Sequence, residues 1–289
     1  MWVIFALGAA LLTSFNPILY KRMLGEAGPI IVVWGVIGLA LPLLALMTFL
    51  LAPTLPQVDT LFVLACFGSA AMNALAHVAS AQALKRADAS LVTPLLTFSP
   101  VFTLVIAAAF LGEQPEARGL MGVALVLIGA YWLNRVAGSD WLAPFKSLAF
   151  KPGVGLVVSA GLLWAITPIF EKLAIQHTAP VSPAFTALVV NGLLVGLLTP
   201  LALRQEPSAM HMLIQHRREW LLAALIAGVA PALGYTAFSL GRVGYVTTLF
   251  RLSAVFTVIW GAWLLREPRI QQRLPASIVM VAGAILIAT

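Results

Sequence analysis

The sequence predicts an all-α integral membrane protein built from ten transmembrane helices in two inverted five-helix repeats. Composition is the first observation behind this: of 289 residues, 61% are hydrophobic and only 9% charged, with a mean hydropathy of +1.01, outside the range of soluble domains. The second is the recurrence of apolar runs of about 20 residues, the length needed to cross the hydrocarbon core. The third is a stretch that occurs twice. Residues 92–113 (VTPLLTFSPVFTLVIAAAFLGE) and 246–267 (VTTLFRLSAVFTVIWGAWLLRE) align without a gap at a spacing of 154, with ten of 22 positions identical. The matches include the polar pairs Thr93 and Thr247, Ser99 and Ser253, Thr103 and Thr257, and Glu113 and Glu267. Shared apolar composition would not produce these, so they mark an internal repeat.

Ten spans follow, at roughly 2–20, 30–51, 60–84, 91–112, 117–135, 153–171, 182–203, 220–240, 245–265 and 274–288. Each is apolar continuously rather than in alternation and is longer than a barrel strand, so a helix is the way to satisfy its backbone in lipid. Span 1 lacks the basic flank of a signal peptide and has a counterpart in the second half, so it is expected in the mature structure. Its end, ALLTSFNPILYKRML, superposes on the end of span 6, GLLWAITPIFEKLAI, at a spacing of 151, placing Asn16 on Thr167, Pro17 on Pro168, Tyr20 on Glu171 and Lys21 on Lys172. A proline inside a helix removes one backbone hydrogen bond, so both helices are expected to loosen there, making Pro17 and Pro168 candidate hinges.

The downstream register of 154 carries the repeat through Gly129 and Ala130 against Gly283 and Ala284. Residues 1–137 form the first five-helix repeat, 138–152 a polar connector, and 153–289 the second. Because five is odd, the second repeat enters the membrane from the opposite side. This inverted arrangement is one found in secondary transporters, with the substrate near the midplane. Thirteen Lys and Arg lie in odd-numbered connections and three in even-numbered ones, a bias that puts the odd connections in the cytoplasm and both termini outside.

The charge of +7 comes from few acids and from basic residues at span ends. It suits a lipid surface and does not call for nucleic acid. The single Cys66 excludes a disulfide and a cysteine metal cluster. His211 and His216 share a loop with no third ligand in view, so neither a metal nor a cofactor is expected. The acids are scattered at span ends, which argues against a membrane-embedded enzyme.

The paired proline-then-lysine endings of spans 1 and 6, the closing motif SPVFTLVIAAAFLGE of span 4 and its approach ALKRADASLVTPLLTFSPVF together resemble the drug/metabolite transporter superfamily, EamA type, over nearly the whole chain. The second copy departs from that pattern, with Ala254 in place of proline and Arg251 in place of an aromatic or small residue. The resemblance implies a small-metabolite carrier, frequently an exporter of amino acids or related compounds, with cytoplasmic termini.

Arg251 is the one charged residue well inside a span, about six residues or roughly 9 Å from the start of span 9. Burying it costs a few kcal/mol, so it is expected to face a cavity or a partner. One reading has it receive a substrate carboxylate, which guanidinium holds bidentately. The other has it snorkel, or pair with Glu171 or a carbonyl.

Helical spacing adds Thr247 beside Arg251, with Thr93 and Thr97 at the same places in span 4. Span 3 carries Ser69, Asn73, His77 and Ser80 as one polar stripe. Span 1 offers Thr13, Asn16 and Tyr20, and span 6 offers Trp164, Thr167 and Glu171. Tyr235 and Phe238 in span 8, with Trp34, Phe250 and Trp260, are candidates to contact an apolar moiety.

The expected function is alternating-access export of an amino acid or related carboxylate-bearing metabolite, through a cavity lined from spans 1, 3, 4, 6, 8 and 9. With no acid placed inside a span, the mechanism is expected to be facilitative. Proton-coupled antiport through His77 is the alternative, as is a channel or structural membrane protein. The absence of an Asn-x-Ser/Thr sequon fits a bacterial plasma membrane. Monomer and homodimer are both open.

Overall fold

A computed structural model describes every residue except 25–26, 52–53, 87–95, 135–141, 143–151, 206–216 and 266–269. The described residues are almost entirely helical. In chain order they form α1 (Trp2–Thr13), α2 (Asn16–Met23), α3 (Pro29–Leu51), α4 (Thr60–Arg86), α5 (Ser99–Phe110), α6 (Ala117–Asn134), α7 (Pro152–Gln176), α8 (Pro183–Gln205), α9 (Arg217–Leu240), α10 (Val243–Phe250), α11 (Ser253–Leu265) and α12 (Ile270–Ala288). Two short strands, β1 (Gln57–Val58) and β2 (Thr178–Ala179), pair antiparallel with Gln57 opposite Ala179 and Val58 opposite Thr178.

Seven helical segments are long and apolar enough to cross a membrane, and three shorter apolar helices lie at Ser99–Phe110, Ala117–Leu133 and Arg273–Ala288. The surface fits that reading. Large apolar side chains such as Phe49, Leu50, Val63, Leu64 and Phe67 point outward, which would be an aggregation hazard in water and is satisfied in lipid. Many buried positions are small: Ala6, Ala9 and Ala10 in α1, and Ala223, Ala224, Gly228, Ala230, Ala232, Gly234 and Ala237, beside the larger Trp220, Tyr235 and Phe238, in α9. Lipid tails are as apolar as leucine, so helices associate through close backbone approach, and small residues permit it.

The chain forms two compact units. The first comprises Met1–Ala74 and Phe170–Leu240. In it α9 packs against α1, α2, α3 and α8, and α3 packs against α8. Met23, Ile31, Val32 and Val36 meet Trp220 and Ala223 in one apolar core. Trp34 Nε1 donates to Thr199 Oγ1 at 2.9 Å, and Phe62 stacks on Phe185 with centroids 5.6 Å apart.

A polar fastening joins the start of α4 to the end of α7. Asp59 caps α4, its Oδ1 accepting from the Phe62 amide at 2.9 Å, while Oδ2 meets His177 Nδ1 at 2.7 Å. Thr178 Oγ1 donates to the Ile175 carbonyl at 2.8 Å and accepts from the Ser182 amide at 2.9 Å.

The Phe62 amide, and after it His177, hold the Asp59 carboxyl below its ordinary range. A depressed carboxylate stabilises the fold above its unfolded value of about 3.9 and loses that effect as pH falls through the folded value. Melting in detergent is therefore expected to weaken with acidification below about pH 4 more steeply in the wild type than in Asp59→Asn. Parallel slopes would remove this role for Asp59.

The second unit comprises Leu75–Ile169 and Gly241–Thr289. Here α6 lies along α12, α10 contacts α5 and α6, and α11 contacts α12. After α5 the chain turns at Gly112, whose φ of 64° suits glycine, and brings two acids to the start of α10. Glu113 Oε2 accepts from the Val243 amide at 2.7 Å. Glu116 Oε1 pairs with Arg242 at 3.0 Å, and the Glu116 amide donates to Tyr245 Oη at 3.0 Å. The repeat-matched Glu113 is thus a helix cap. Its counterpart Glu267 lies outside the described residues.

Candidate functional site

Among the described residues, two sets of polar side chains stand out within apolar helical segments, one in each unit. In the first unit the approach begins with a missing side chain. Gly68 on α4 faces the Phe170 ring of α7, and a Cβ there would sit 3.0 Å from it. The next residues along each helix are Ser69 and Glu171, and Ser69 Oγ donates to Glu171 Oε1 at 3.1 Å. Asn73, one turn further along α4, donates to Ser69 Oγ at 3.5 Å. The side chains of Tyr235 on α9 and Asn73 are further hydrogen-bond partners of the same carboxyl. Glu171 is only 8% exposed, Tyr235 6%, and Ser69 is fully buried. Phe238 lies beside Tyr235, with ring centroids 6.2 Å apart.

This corrects one premise. Glu171 reads from the sequence as an acid at a span end, yet it lies inside the apolar segment Gly155–Gln176 and within the protein interior. Spans ending at 171 are one helical turn too short here, because apolar Leu173, Ala174 and Ile175 continue the helix beyond Lys172. The expectation of an uncoupled mechanism rested on there being no such acid.

In the second unit, α10 ends and α11 begins with a break at Arg251–Leu252. The amides of Arg251 and Leu252 bond three residues back, to Thr248 and Leu249, both at 3.0 Å, a tightened turn between two helices. A matching turn at Thr97–Phe98 precedes α5, at the same offset of 154 that relates the two copies in sequence.

Arg251 sits in the second turn, half-buried, and its guanidinium Nη2 donates to Ser99 Oγ at the start of α5. Thr103, one turn along α5, donates to the carbonyls of Ser99 at 3.2 Å and Ala165 at 3.1 Å, tying α5 to α7. His77 on α4 meets Trp164 on α7 edge to face, with centroids 5.4 Å apart.

The proline sites differ from each other. Span 1 breaks at Ser14–Phe15 into α1 and α2, and Pro17 becomes the second residue of α2, where its missing amide is harmless. Span 6 instead runs unbroken through Pro168. The proline leaves the Trp164 carbonyl without its usual amide, and Thr167 Oγ1 donates to that carbonyl at 3.2 Å, the hydroxyl rescue that lets membrane helices keep a proline. Asn16 stands where Thr167 does, and its buried Oδ1 has no hydrogen-bond partner among the described residues.

Of the other candidates, Thr247 Oγ1 turns back on the Gly244 carbonyl at 3.1 Å. Thr97 is buried in its turn and engaged in contacts of its own. Thr93, His211 and His216 lie outside the described residues.

The sequence profile of the EamA-like transporter family matches residues 1–135 and 151–289. The chain belongs to the EamA-like transporter family. Among its relatives is a "Probable amino-acid metabolite efflux pump" of Salmonella typhimurium, 29% identical over 204 residues that cover 68% of this chain and 66% of the relative. An "Uncharacterized transporter" of Methanothermobacter thermautotrophicus is 23% identical over 201 residues, covering 67% of this chain and 54% of the relative. The chain thus spans about two thirds of the first relative's length and about half of the second's. A crystallographically determined protein chain shares the fold with a TM-score of 0.74 at 15% identity, over 99% of this chain and 96% of that one.

This EamA-like transporter is therefore a multi-pass membrane protein. The structure gathers Asn73 and Tyr235 around a carboxyl that sequence reasoning left at a helix end. His77, further along α4 and in the second unit, is set against Trp164. A signal for Glu171 was present: it stands at the Tyr20 position of the repeat, four residues after Thr167.

Proposed function

We propose that this EamA-like transporter is a ten-span carrier of two inverted repeats, 1–137 and 153–289, that exports an amino acid or related carboxylate-bearing metabolite across a bacterial plasma membrane by alternating access. One observation carries the reading. Arg251 lies at a helix break inside an apolar segment, and the partner it reaches is the neutral hydroxyl of Ser99. Among the described residues no carboxylate pairs with it, and a half-buried cation without a counter-ion is costly in a membrane protein. A carboxylate-bearing substrate supplies that counter-ion, and guanidinium can hold it through two parallel hydrogen bonds.

The name of the Salmonella relative supports the choice of amino acids as substrate class. Helix breaks near Pro17 and at Arg251–Leu252 are suitable points for the bending that alternating access requires, with Pro168 as a further hinge. Asn16, Thr93, Thr97, Thr167, Thr247, Trp164 and Phe238 remain candidates to line the substrate path.

Counterflow in liposomes tests the reading. Vesicles loaded with unlabelled amino acids are expected to take up labelled amino acid faster than empty ones, whereas the corresponding decarboxylated amines should give no acceleration. Equal rates in loaded and empty vesicles would indicate a pore and sink the carrier assignment.

A further inference from the structure

We propose that Glu171 is the proton-exchange group that couples export to the proton gradient, a role that rests on the carrier reading above. The geometry argues for it in three steps. First, the carboxyl is buried inside an apolar segment, and among the described residues no Lys, Arg or His side chain contacts it. What the described residues offer an ionised carboxylate in such a place is hydrogen bonds, and acids so placed in carriers mark proton paths.

Second, its partners suit both protonation states. Ser69 and Tyr235 are hydroxyls, and Asn73 carries both a carbonyl and an amide. Each can donate to a carboxylate, and each can accept from a carboxylic acid after rotation. A fixed cation would hold only the charged form.

Third, the groups facing Glu171 come from separate elements: Cys66, Ser69 and Asn73 from α4, and Tyr235 from α9. Of these, Cys66 and Tyr235 are titratable, and both are neutral when protonated. A change in the spacing of α4, α7 and α9 therefore alters how many donors the carboxylate keeps, and this links helix movement to proton affinity. His77 is set against Trp164 and is not part of this cluster.

The step is a transfer of one proton. A hydronium ion at one membrane face breaks one of its O–H bonds, leaving water, and gives the proton to a Glu171 carboxylate oxygen, forming an O–H bond there. After the helices move, that bond breaks toward water at the other face while the metabolite crosses the opposite way.

The test uses the full chain in proteoliposomes with a radiolabelled mixture of the standard amino acids. With one proton per substrate, wild-type protein is expected to accumulate label up to about tenfold per pH unit of imposed gradient. Glu171→Gln is expected to exchange substrate at a rate that no longer varies with pH, and to accumulate none. Glu171→Asp keeps a carboxyl and is expected to retain accumulation. Infrared difference spectra between acid and alkaline pH should show a protonated-carboxyl band in the wild type that is missing in Glu171→Gln.

Wild-type counterflow without any response to the gradient would overturn the coupling and leave the carrier intact. Gradient-driven accumulation by Glu171→Gln would do the same. Loss of exchange in Glu171→Gln alone, with Glu171→Asp normal, would overturn it in favour of a substrate contact. Absence of wild-type counterflow would remove the carrier reading and this proposal together.

Discussion

Replacing Gly122 by alanine is expected to destabilise the protein by about 3 kcal/mol or more, lowering its melting temperature in detergent by roughly 6–12 °C. The reason is backbone contact. Along α6 and α12 the facing residues recur at helical spacing, with Gly122, Val126 and Gly129 on one helix and Ala276, Met280, Gly283 and Ile287 on the other. A Cβ on Gly122 would lie 2.7 Å from the Gly283 carbonyl oxygen, and one on Gly283 would lie 2.6 Å from the Gly122 carbonyl oxygen. Neither obstacle is the flexible end of a side chain, so the helices themselves must separate and give up the packing on which membrane helix association depends. Gly283→Ala should match Gly122→Ala. Gly192→Ala, in α8 with nothing within 4 Å of its added Cβ, should be neutral or stabilising by up to about 1 kcal/mol, because alanine is the better helix former. Equal melting temperatures for all three variants would remove the close-approach explanation.

Removing the charge at Arg251 is expected to raise the half-saturation concentration for transport about 10- to 100-fold. This follows from about 1.5–3 kcal/mol for a hydrogen bond to a charged group and about 1.4 kcal/mol per decade of affinity. Arg251→Lys should fall between wild type and Arg251→Ala, since lysine keeps the charge but not the planar fork. Ser99→Ala separates substrate binding from scaffolding. It deletes the partner that Arg251 reaches within the protein while leaving the guanidinium in place, and is expected to leave the half-saturation concentration within a few-fold of wild type. Measured affinities for Arg251→Lys and Arg251→Ala that both stay near normal would assign the residue to packing instead.

The helices were legible because continuous apolar runs leave the backbone no other solution in lipid, and the registers of 154 and 151 could be read from scattered polar identities. The breaks within spans were not. Apolar character continues across Thr97–Phe98 and Arg251–Leu252, so hydropathy gives no warning, although Ser99 followed by Pro100 at the start of α5 is a helix-start signal in the first copy. Pro17 and Pro168 read as equivalent, and the difference between Asn16 and Thr167 decided otherwise, through one hydroxyl placed to serve an orphaned carbonyl. Glu171 was in view, but its burial was not, because that depends on α4 and α9, elements distant in sequence that no local pattern connects to it. Arg251 was found because a charge inside an apolar run is conspicuous. Its partner Ser99 was visible only as a repeat-matched position.

The make-up of the first unit bears on how the protein is made. Its residues are Met1–Ala74 and Phe170–Leu240, so α1 and α3 must await α9, the helix against which both pack. At about 5–20 residues per second, a ribosome that has just finished α3 needs roughly another 10 to 40 s to complete α9. Throughout that interval the faces of α1 and α3 that α9 will cover stand in the bilayer without that partner. Cutting the gene at the connector would make that wait permanent, since each unit draws helices from both halves of the chain.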